Sequence, residues 1–154
     1  MAPKSKATIT EVARAAGVST ATAGRVLGGY GYTSDDKKEQ VLKAAQSLGY
    51  RPNALARSLI TGKTRTLGVV AGDIQNPFYA SVLRGISNVA EANGFGLLIT
   101  NSDEAQPKEV HSVELLTQKQ VDGLIVTPSD TRKARHLHSL KAMGVPLVLI
   151  DRAV

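Results

Sequence analysis

The 154-residue chain contains no cysteine and no tryptophan, and aromatic residues make up only 4% of it. The lack of cysteine excludes disulfide bonds and thiolate metal sites, and it suits a reducing compartment. No segment approaches the roughly 20 apolar residues that span a bilayer, and no apolar run follows the first lysines as it does in a secretory signal. The composition therefore predicts a soluble, cytoplasmic protein.

Positive charge is concentrated in the first part of the chain. Residues 1–66 hold eleven of the 19 basic residues and four of the 13 acidic residues, which gives this segment a net charge of +7. The remaining residues hold eight basic and nine acidic side chains. The division favours a small domain followed by part of a larger one, and it is typical of a module that binds a phosphate backbone.

Residues 9–27 predict two short helices joined by a tight turn, which is a helix-turn-helix. Thr8 and Glu11 have the spacing of a capping box at the start of the first helix. Gly17 ends that helix, because glycine enters the left-handed cap conformation without steric cost. Ser19 can then cap the second helix.

Small residues are predicted where the two helices meet, namely Ala13, Ala16 and Ala23. The outward face of the second helix is expected to carry Thr20, Ala21, Gly24 and Arg25. Such a short face, ending in the donors of a guanidinium, fits the major groove of DNA. A helical hairpin that only packs is the alternative, and the concentration of positive charge decides for DNA binding.

The rest of the first domain reads as a glycine-rich loop and a third helix from Asp35 to about Leu48. Tyr32 in the loop either closes the small core or contacts DNA. Ser34 is expected to cap the helix, and Gly49 to end it. Its predicted apolar stripe consists of Val41, Leu42, Ala45 and Leu48.

The segment 53–59 could form about two helical turns capped by Asn53, too short to be stable alone. Leu55 and Leu59 would form one exposed apolar ridge on it. Two interpretations remain open. The segment is either an ordinary linker or a helix that folds against DNA and inserts a leucine into a minor-groove base step.

From residue 67 the pattern changes to four short apolar runs at 67–71, 95–99, 123–126 and 146–150. Such runs are typical of strands buried on both faces. Helical patterns separate them at roughly 78–93, 107–120 and 131–143. The series predicts a doubly wound parallel sheet with right-handed crossovers.

Parallel sheets of this kind bind ligands at the carboxyl ends of their strands. Several residues that follow the four runs are polar or aromatic and suit a small polar ligand: Asp73, Asn76, Phe78, Tyr79, Asn101, Ser102, Asp103, Thr127, Ser129, Asp151 and Arg152. Taken singly, most are also ordinary turn and cap residues. Phe78 and the pair Asp151–Arg152 are the strongest candidates.

No nucleophile paired with a base and no metal-ligand cluster is found, so the sequence predicts neither an enzyme nor a cofactor or metal site. His136 and His138 are two residues apart and would point in different directions on a helix. His111 has no visible partner. The acidic residues of this region are interpreted as loop and helix-start charges: Asp103, Glu104 and Glu109.

Six runs carry a resemblance to a known family: ATITEVARAAGVS, RVL, AAQSLGYRPNALARSL, LGVV, NPFY and VDGLIV. With them the chain resembles the N-terminal part of a LacI/GalR-family transcriptional regulator. The resemblance implies a fold of a three-helix DNA-binding domain (1–50), a hinge helix and linker (51–66), and the first part of a periplasmic-binding-protein-like core (67–154).

The resemblance also implies site residues. Thr20, Ala21 and Arg25 would read bases. Ser19 and Thr22 would contact the DNA backbone, for which Tyr32 and Asn53 are further candidates. The hinge helix would include Asn53, Ala54, Leu55, Ala56 and Arg57, with Leu59 as the minor-groove wedge. The family binds near-palindromic operators as dimers under control of a sugar or nucleobase-type effector, which is expected to contact Asn76, Phe78, Tyr79, Asn101, Asp103, Thr127, Asp151 and Arg152.

The chain departs from the family pattern in three ways. Ala23–Gly24 replaces the usual Val-Ser, and Gly28 replaces the usual asparagine. The chain is also shorter than the family's members, so a truncated form with one wall of the effector site is expected. A basic nucleic-acid-binding fragment without sequence choice or effector response is the alternative function.

Overall fold

The structure, a computed structural model, describes residues 7–152 and residue 154, without the side chain of Leu55. The chain divides into two compact units, one ending at Gly62 and the other beginning at Lys63. This boundary lies within the segment 51–66, and the three-part division of the chain stays a prediction. Among the described residues, no helix combines the length and apolar character needed to cross a lipid bilayer.

Four helices make up the first unit: α1 (Ile9–Ala15), α2 (Thr20–Gly28), α3 (Asp35–Ser47) and α4 (Ala54–Thr61). The predicted capping box is confirmed, because the Thr8 amide donates to Glu11 Oε2 (2.7 Å) and the Glu11 amide donates to Thr8 Oγ1 (3.3 Å). Gly17 follows α1 with a φ of +64°. The predicted cap of α2 is also confirmed, since Ser19 Oγ accepts from the Thr22 amide at 3.1 Å.

The core of the first unit is built mainly from small side chains. Its buried members are Val12, Ala13, Ala16, Ala23, Val41, Ala44 and Ala45. Because five of these seven are alanine, the three helices can approach each other closely. A larger residue at any of these contacts would displace a helix.

Three expectations for α3 are wrong. Leu42 and Leu48 are 48% and 42% exposed, because the buried face follows the helical spacing of Val41, Ala44 and Ala45. Ser34 occupies the N-cap position, but its side chain makes no capping hydrogen bond. The acidic residues in the first turn supply favourable charge at this helix start instead.

The second unit is a four-stranded parallel sheet with three helices. Its elements are β1 (Thr66–Ala71), α5 (Pro77–Ala92), β2 (Gly96–Asn101), α6 (Gln106–Gln118), β3 (Gly123–Val126), α7 (Arg135–Ala142) and β4 (Leu147–Leu149). The strand order is β2-β1-β3-β4, with Val69 of β1 opposite Ile99 and Ile125. The predicted parallel α/β sheet is confirmed, and the order reverses between β1 and β3, the place where doubly wound sheets hold ligands.

Among the described residues, the leucines that are fully buried lie in this second unit. Val70, Leu116, Leu124, Leu137 and Leu140 are all at most 2% exposed and form one cluster. The prediction that every strand is buried on both faces is wrong for the outer strands, β2 and β4. Each has a neighbouring strand on one side only, so fewer side chains of the sheet cover its own side chains. Ile99 of β2 and Val148 of β4 are 49% and 58% exposed.

Candidate nucleic-acid interface and ligand site

Three polar side chains are linked along the exposed side of α2. Ser19 Oγ and Thr22 Oγ1 are 2.9 Å apart and share a hydrogen bond. Arg25 Nη2 donates to Thr22 Oγ1 at 3.4 Å. These contacts connect the three side chains and place the Arg25 guanidinium beside Thr22 on the helix. A preordered guanidinium loses less entropy when it binds bases or phosphates.

The residues predicted to read bases share an exposed surface. Thr20, Ala21 and Arg25 are exposed on α2, and Thr22 is half-buried. Gly24 was expected on the same outward face, and that expectation is wrong because a side chain at this position would point toward Tyr30 and Ile9. A Cβ at Gly24 would lie 3.5 Å from the Tyr30 hydroxyl oxygen and 3.7 Å from Ile9 Cδ1.

Two tyrosines in the loop after α2 have different environments. Tyr30 packs against Gly28, where a Cβ would come within 2.2 Å of the tyrosine ring. Only glycine leaves room for this ring, which explains the departure from asparagine at position 28. Tyr32 is 90% exposed and does not close the core. Its exposed phenol stays available for the predicted contact with DNA.

The helix α4 presents apolar residues in two directions. Ala56 and Ile60 line a recess of about 70 Å³ together with residues of α1 and α2, including Ile9 and Leu27. Leu59 is not part of this lining and is 87% exposed. Ala54 and Asn53 are exposed and Arg57 is half-buried. The predicted contact of the Leu55 side chain lies outside the described residues.

In the second unit, three predicted ligand residues meet at the carboxyl edge of the sheet. The Tyr79 hydroxyl donates to Asp151 Oδ2 at 3.4 Å, and Arg152 Nε lies 3.6 Å from the same oxygen. Tyr79 is 4% exposed, and burial, together with the negative charge of Asp151, raises its pKa above the ordinary 10.0. The phenol is therefore a neutral hydrogen-bonding group at this edge.

Phe78 lies beside this group and is accessible. It is 51% exposed, and its ring meets the Tyr79 ring edge-on at a centroid distance of 5.1 Å. Asn76 has a different role, since its Oδ1 accepts from the Phe78 amide at 3.0 Å and caps α5. Thr127 is 4% exposed and lies at the end of β3.

Asn101 and Asp103 form a separate polar group after β2. Asn101 Oδ1 accepts from the Ile74 amide at 3.2 Å, and its Nδ2 donates to Asp103. The Lys108 ammonium also donates to Asp103 and holds the pKa of this carboxyl below its usual value. Asp103, Glu104 and Asp151 all have positive φ, a conformation that is uncommon for residues with side chains and concentrates at functional sites.

A recess of about 470 Å³ opens at this edge, and of the predicted ligand residues only Arg152 and Ser129 line it. The sequence analysis did not assign the others to the site: Glu104, Gln106, Asp130, Thr131 and Arg132. The Arg132 amide donates to Asp130 and lowers the pKa of that carboxyl. The lining thus contains two ion pairs, Asp130 with Arg132 and Glu104 with Arg152.

Glu109 lies in the first turn of α6, as expected, but it is also a buried group that binds two other segments. Glu109 is 1% exposed and accepts hydrogen bonds from the Ser129 amide (2.6 Å) and the Ser129 hydroxyl. Its other oxygen lies 2.7 Å from His136 Nε2. The available signal was spacing, because Glu109 precedes Val113 by four residues and Leu116 by seven, which places it on the buried face of α6.

This buried group differs from a serine nucleophile activated by histidine. Ser129 and His136 bind different oxygens of one carboxylate, so the imidazole does not take the serine proton. His138 Nδ1 instead lies 3.0 Å from the Ala134 carbonyl oxygen, and His111 is exposed. Across residues 7–152 and 154, no group of three or more acidic or histidine side chains is arranged to hold a metal ion.

Comparison with known proteins gives consistent results for both units. The family model described as bacterial regulatory proteins, lacI family, matches residues 8–53. The model described as periplasmic binding proteins and sugar binding domain of LacI family matches residues 64–154. A crystal structure of a LacI-family transcriptional regulator from Silicibacter pomeroyi is similar to 93% of this chain, with 30% identity and a TM-score of 0.74, and the match covers 43% of that chain.

Two curated relatives extend the comparison. Catabolite control protein A from Priestia megaterium is 45% identical over 116 residues, which are 75% of this chain and 35% of that protein. The ribose operon repressor from Halalkalibacterium halodurans is 37% identical over 147 residues, which are 96% of this chain and 43% of that protein. The chain thus spans less than half the length of these regulators.

Proposed function

This chain belongs to the LacI family of bacterial regulatory proteins, and from that premise we propose that it is a sequence-specific DNA-binding transcriptional regulator. We propose that it acts as a repressor and binds a near-palindromic operator as a homodimer. The relatives are regulators, which supports our proposal that the chain has no catalytic role. We also propose a cytoplasmic location, since that is where a bacterial operator is found.

The observation that carries this proposal is the line of tethered side chains on α2. Ser19, Thr22 and Arg25 are connected on an exposed face, and Thr20 and Ala21 leave that face short enough for close approach to base edges. We assign base reading to Thr20, Ala21 and Arg25. A guanidinium donates two parallel hydrogen bonds to guanine O6 and N7, which makes Arg25 the main candidate for discrimination.

The remaining DNA contacts are assigned by position. Ser19, Thr22, Tyr32 and Asn53 would contact the sugar-phosphate backbone, and α4 would lie in the minor groove. Leu59 is the proposed wedge, because an 87% exposed leucine is costly in water and gains burial between unstacked bases.

We further propose that a small polar effector such as a sugar binds at the carboxyl edge of the sheet. Tyr79, Asp151 and Arg152 supply a phenol, a carboxylate and a guanidinium, and Phe78 supplies an accessible apolar ring of the kind that packs on sugar faces. Asn76, Asn101, Asp103 and Thr127 complete the assigned set. The similarity to a ribose operon repressor makes D-ribose the first probe.

The decisive experiment is selection of binding sites from random duplexes with this chain, followed by titration of each enriched site and scrambled DNA at fixed salt. We expect an inverted repeat with matching half-sites. Equal affinity for all sequences, with one common salt dependence, would instead establish the basic binder without sequence choice. Adding D-ribose to the specific complex then tests effector control.

Arg25→Ala is the substitution that tests base reading most directly. We expect a loss of about 1–3 kcal/mol in discrimination at one base pair of each half-site. Arg14→Ala is the matched control, because Arg14 is an exposed arginine on α1 and its loss removes the same charge. An identical effect of both changes on every duplex would show that Arg25 contacts phosphate only.

Leu59→Ala tests the minor-groove wedge. Specific binding should weaken far more than non-specific binding, since only the operator complex bends DNA around the leucine. Leu42→Ala is the control, because Leu42 is a half-exposed leucine on α3 with no proposed DNA contact. Equal losses for specific and scrambled duplexes would rule out the wedge.

A further inference from the structure

The buried carboxylate of Glu109 ties together two segments that are distant in sequence. Its Oε2 accepts from both the amide and the hydroxyl of Ser129, in the loop after β3, and its Oε1 binds His136 on α7. A side chain that is 1% exposed and has polar partners on both oxygens fixes the loop in one conformation. This interaction has no part in the ligand contacts assigned above.

The loop held by Glu109 in turn holds a guanidinium. Arg152 Nη1 donates to the carbonyl oxygens of Pro128 (3.3 Å) and Ser129 (3.2 Å). Its other contacts are Glu104 Oε1 at 3.4 Å and Asp151 Oδ2 at 3.6 Å, both on half-exposed or exposed carboxylates. Exposed ion pairs of this kind constrain a side chain only weakly. The two carbonyls are therefore the contacts that set the direction of the guanidinium.

We propose that Glu109 is a positioning residue, which fixes the Pro128 and Ser129 carbonyls and so aims the Arg152 guanidinium into the recess at the carboxyl edge of the sheet. The inference rests on the proposed function in one respect, namely that Arg152 faces the effector. Arg152 remains 35% exposed, so its free donors are open to a ligand oxygen while the carbonyls hold its Nη1. Preorganisation lowers the entropy that a bound ligand must supply.

The test measures the orientation of Arg152 without any effector. Phenylglyoxal modifies accessible guanidinium groups, and the rate at each arginine is followed by peptide mass spectrometry. Arg84, exposed on α5, serves as the internal reference in the same unit. In Glu109→Met the loop loses its acceptor, and we expect the rate at Arg152 relative to Arg84 to rise about threefold to tenfold, the change expected from losing one hydrogen bond of ordinary net strength.

Two further variants separate positioning from general damage. Glu114→Met is the matched control, because Glu114 is exposed on the same helix, and it should leave the Arg152 rate unchanged. Glu109→Gln should rescue the wild-type rate, since the amide oxygen still accepts from the Ser129 amide and hydroxyl and the amide nitrogen takes the place of the oxygen that contacts His136. Equal rates in Glu109→Met and Glu114→Met would overturn the inference.

Ser129→Ala covers the case in which Glu109→Met fails to fold. It removes the hydroxyl contact and keeps the amide contact, so a smaller rise at Arg152 is expected, and an unchanged rate overturns the inference. D-ribose binding is measured separately. One outcome separates the two proposals: the Arg152 modification rate changes in the Glu109 variants, while D-ribose binds and Arg152→Lys does not alter that binding. The positioning role of Glu109 then stands, and the assignment of Arg152 to the effector fails.

Discussion

The two units of this chain organise their polar side chains in opposite ways. In the helical unit the described side-chain contacts at the starts of α1 and α2 are local: Thr8 with Glu11, Ser19 with Thr22, and Thr22 with Arg25, all three residues apart. In the sheet unit, Glu109 meets Ser129 across 20 residues, and Tyr79 meets Asp151 across 72. A surface built from local contacts can be recognised from sequence, whereas a surface built from distant contacts cannot.

The apolar cores of the two units also differ, in the size of their side chains. The helical core consists of alanine and valine at close helix contacts, and the sheet core contains four leucines that are at most 2% exposed. The first core therefore depends on small side chains, and the second core depends on large ones. We therefore expect substitutions that add atoms to damage the first unit and substitutions that remove atoms to damage the second.

The largest expected effect comes from Leu116→Ala. Removing a leucine that is 1% exposed should lower the unfolding free energy of the sheet unit by about 2–5 kcal/mol, because a cavity remains. Hydrogen exchange should accelerate in β1 and β3 and stay unchanged in α1–α3, since the two clusters share no residue. Leu98→Ala, at a 40% exposed strand leucine, should have a much smaller effect. Equal acceleration in both units would contradict the comparison.

Gly28→Ala is expected to be the next most damaging change. Its Cβ would collide with the Tyr30 ring, so the helical unit should lose about 1–3 kcal/mol despite the better helix propensity of alanine. In a Tyr30→Ala background the sign should reverse, because the obstacle is gone. The measurement is urea unfolding monitored through the amides of α1–α3. Damage of the same size in both backgrounds would mean that Tyr30 does not occupy this space.

Gly24→Ala should have the opposite sign to Gly28→Ala. Its Cβ would lie 3.5 Å and 3.7 Å from its nearest neighbours, which is ordinary contact. The substitution should therefore stabilise the helical unit by up to about 1 kcal/mol, the gain in helix propensity. The same urea series measures it, and a loss of stability would show that α2 is strained at this position.

The smallest effect concerns the capping box. The hydrogen bonds from Thr8 lower the pKa of Glu11 below its ordinary 4.5. A lowered pKa means that the stabilisation is complete above pH 4.5 and disappears as the pH falls through the lower folded-state value. Acid titration of the α1 amides should show this loss in the wild type and not in Glu11→Gln. A rise in the stability of α1 on acidification would contradict the predicted direction of the pKa shift of Glu11.

The sequence could predict those structural elements that are determined by residues close together in the chain. The caps at Thr8 and Ser19 and the parallel order of alternating strands and helices followed from spacing alone. The exposures of Leu42 and Ile99 did not, because helix orientation and strand position in the sheet depend on tertiary packing.

The two candidate sites differ in the same way in how far the sequence could predict them. The exposed face of α2 was predictable because one helix carries it. The recess near Arg152 was not, because loops after three strands contribute to it and only folding brings Glu104, Ser129 and Arg152 together. Glu109 was misjudged for the same reason, since an acidic residue near a helix start is usually exposed.

The central place of β1 in the strand order has a consequence for synthesis on the ribosome. Both edges of β1 need partners, and β3, the second of them, begins at Gly123, long after β1 has been made. The helical unit is complete at Gly62 and needs no later part of the chain, so it can fold as soon as it emerges. We expect a nascent chain that has emerged from the ribosome only as far as β2 to carry a folded helical unit and a β1 strand with one unpaired edge. During that interval the emerging strand is the segment most in need of a chaperone.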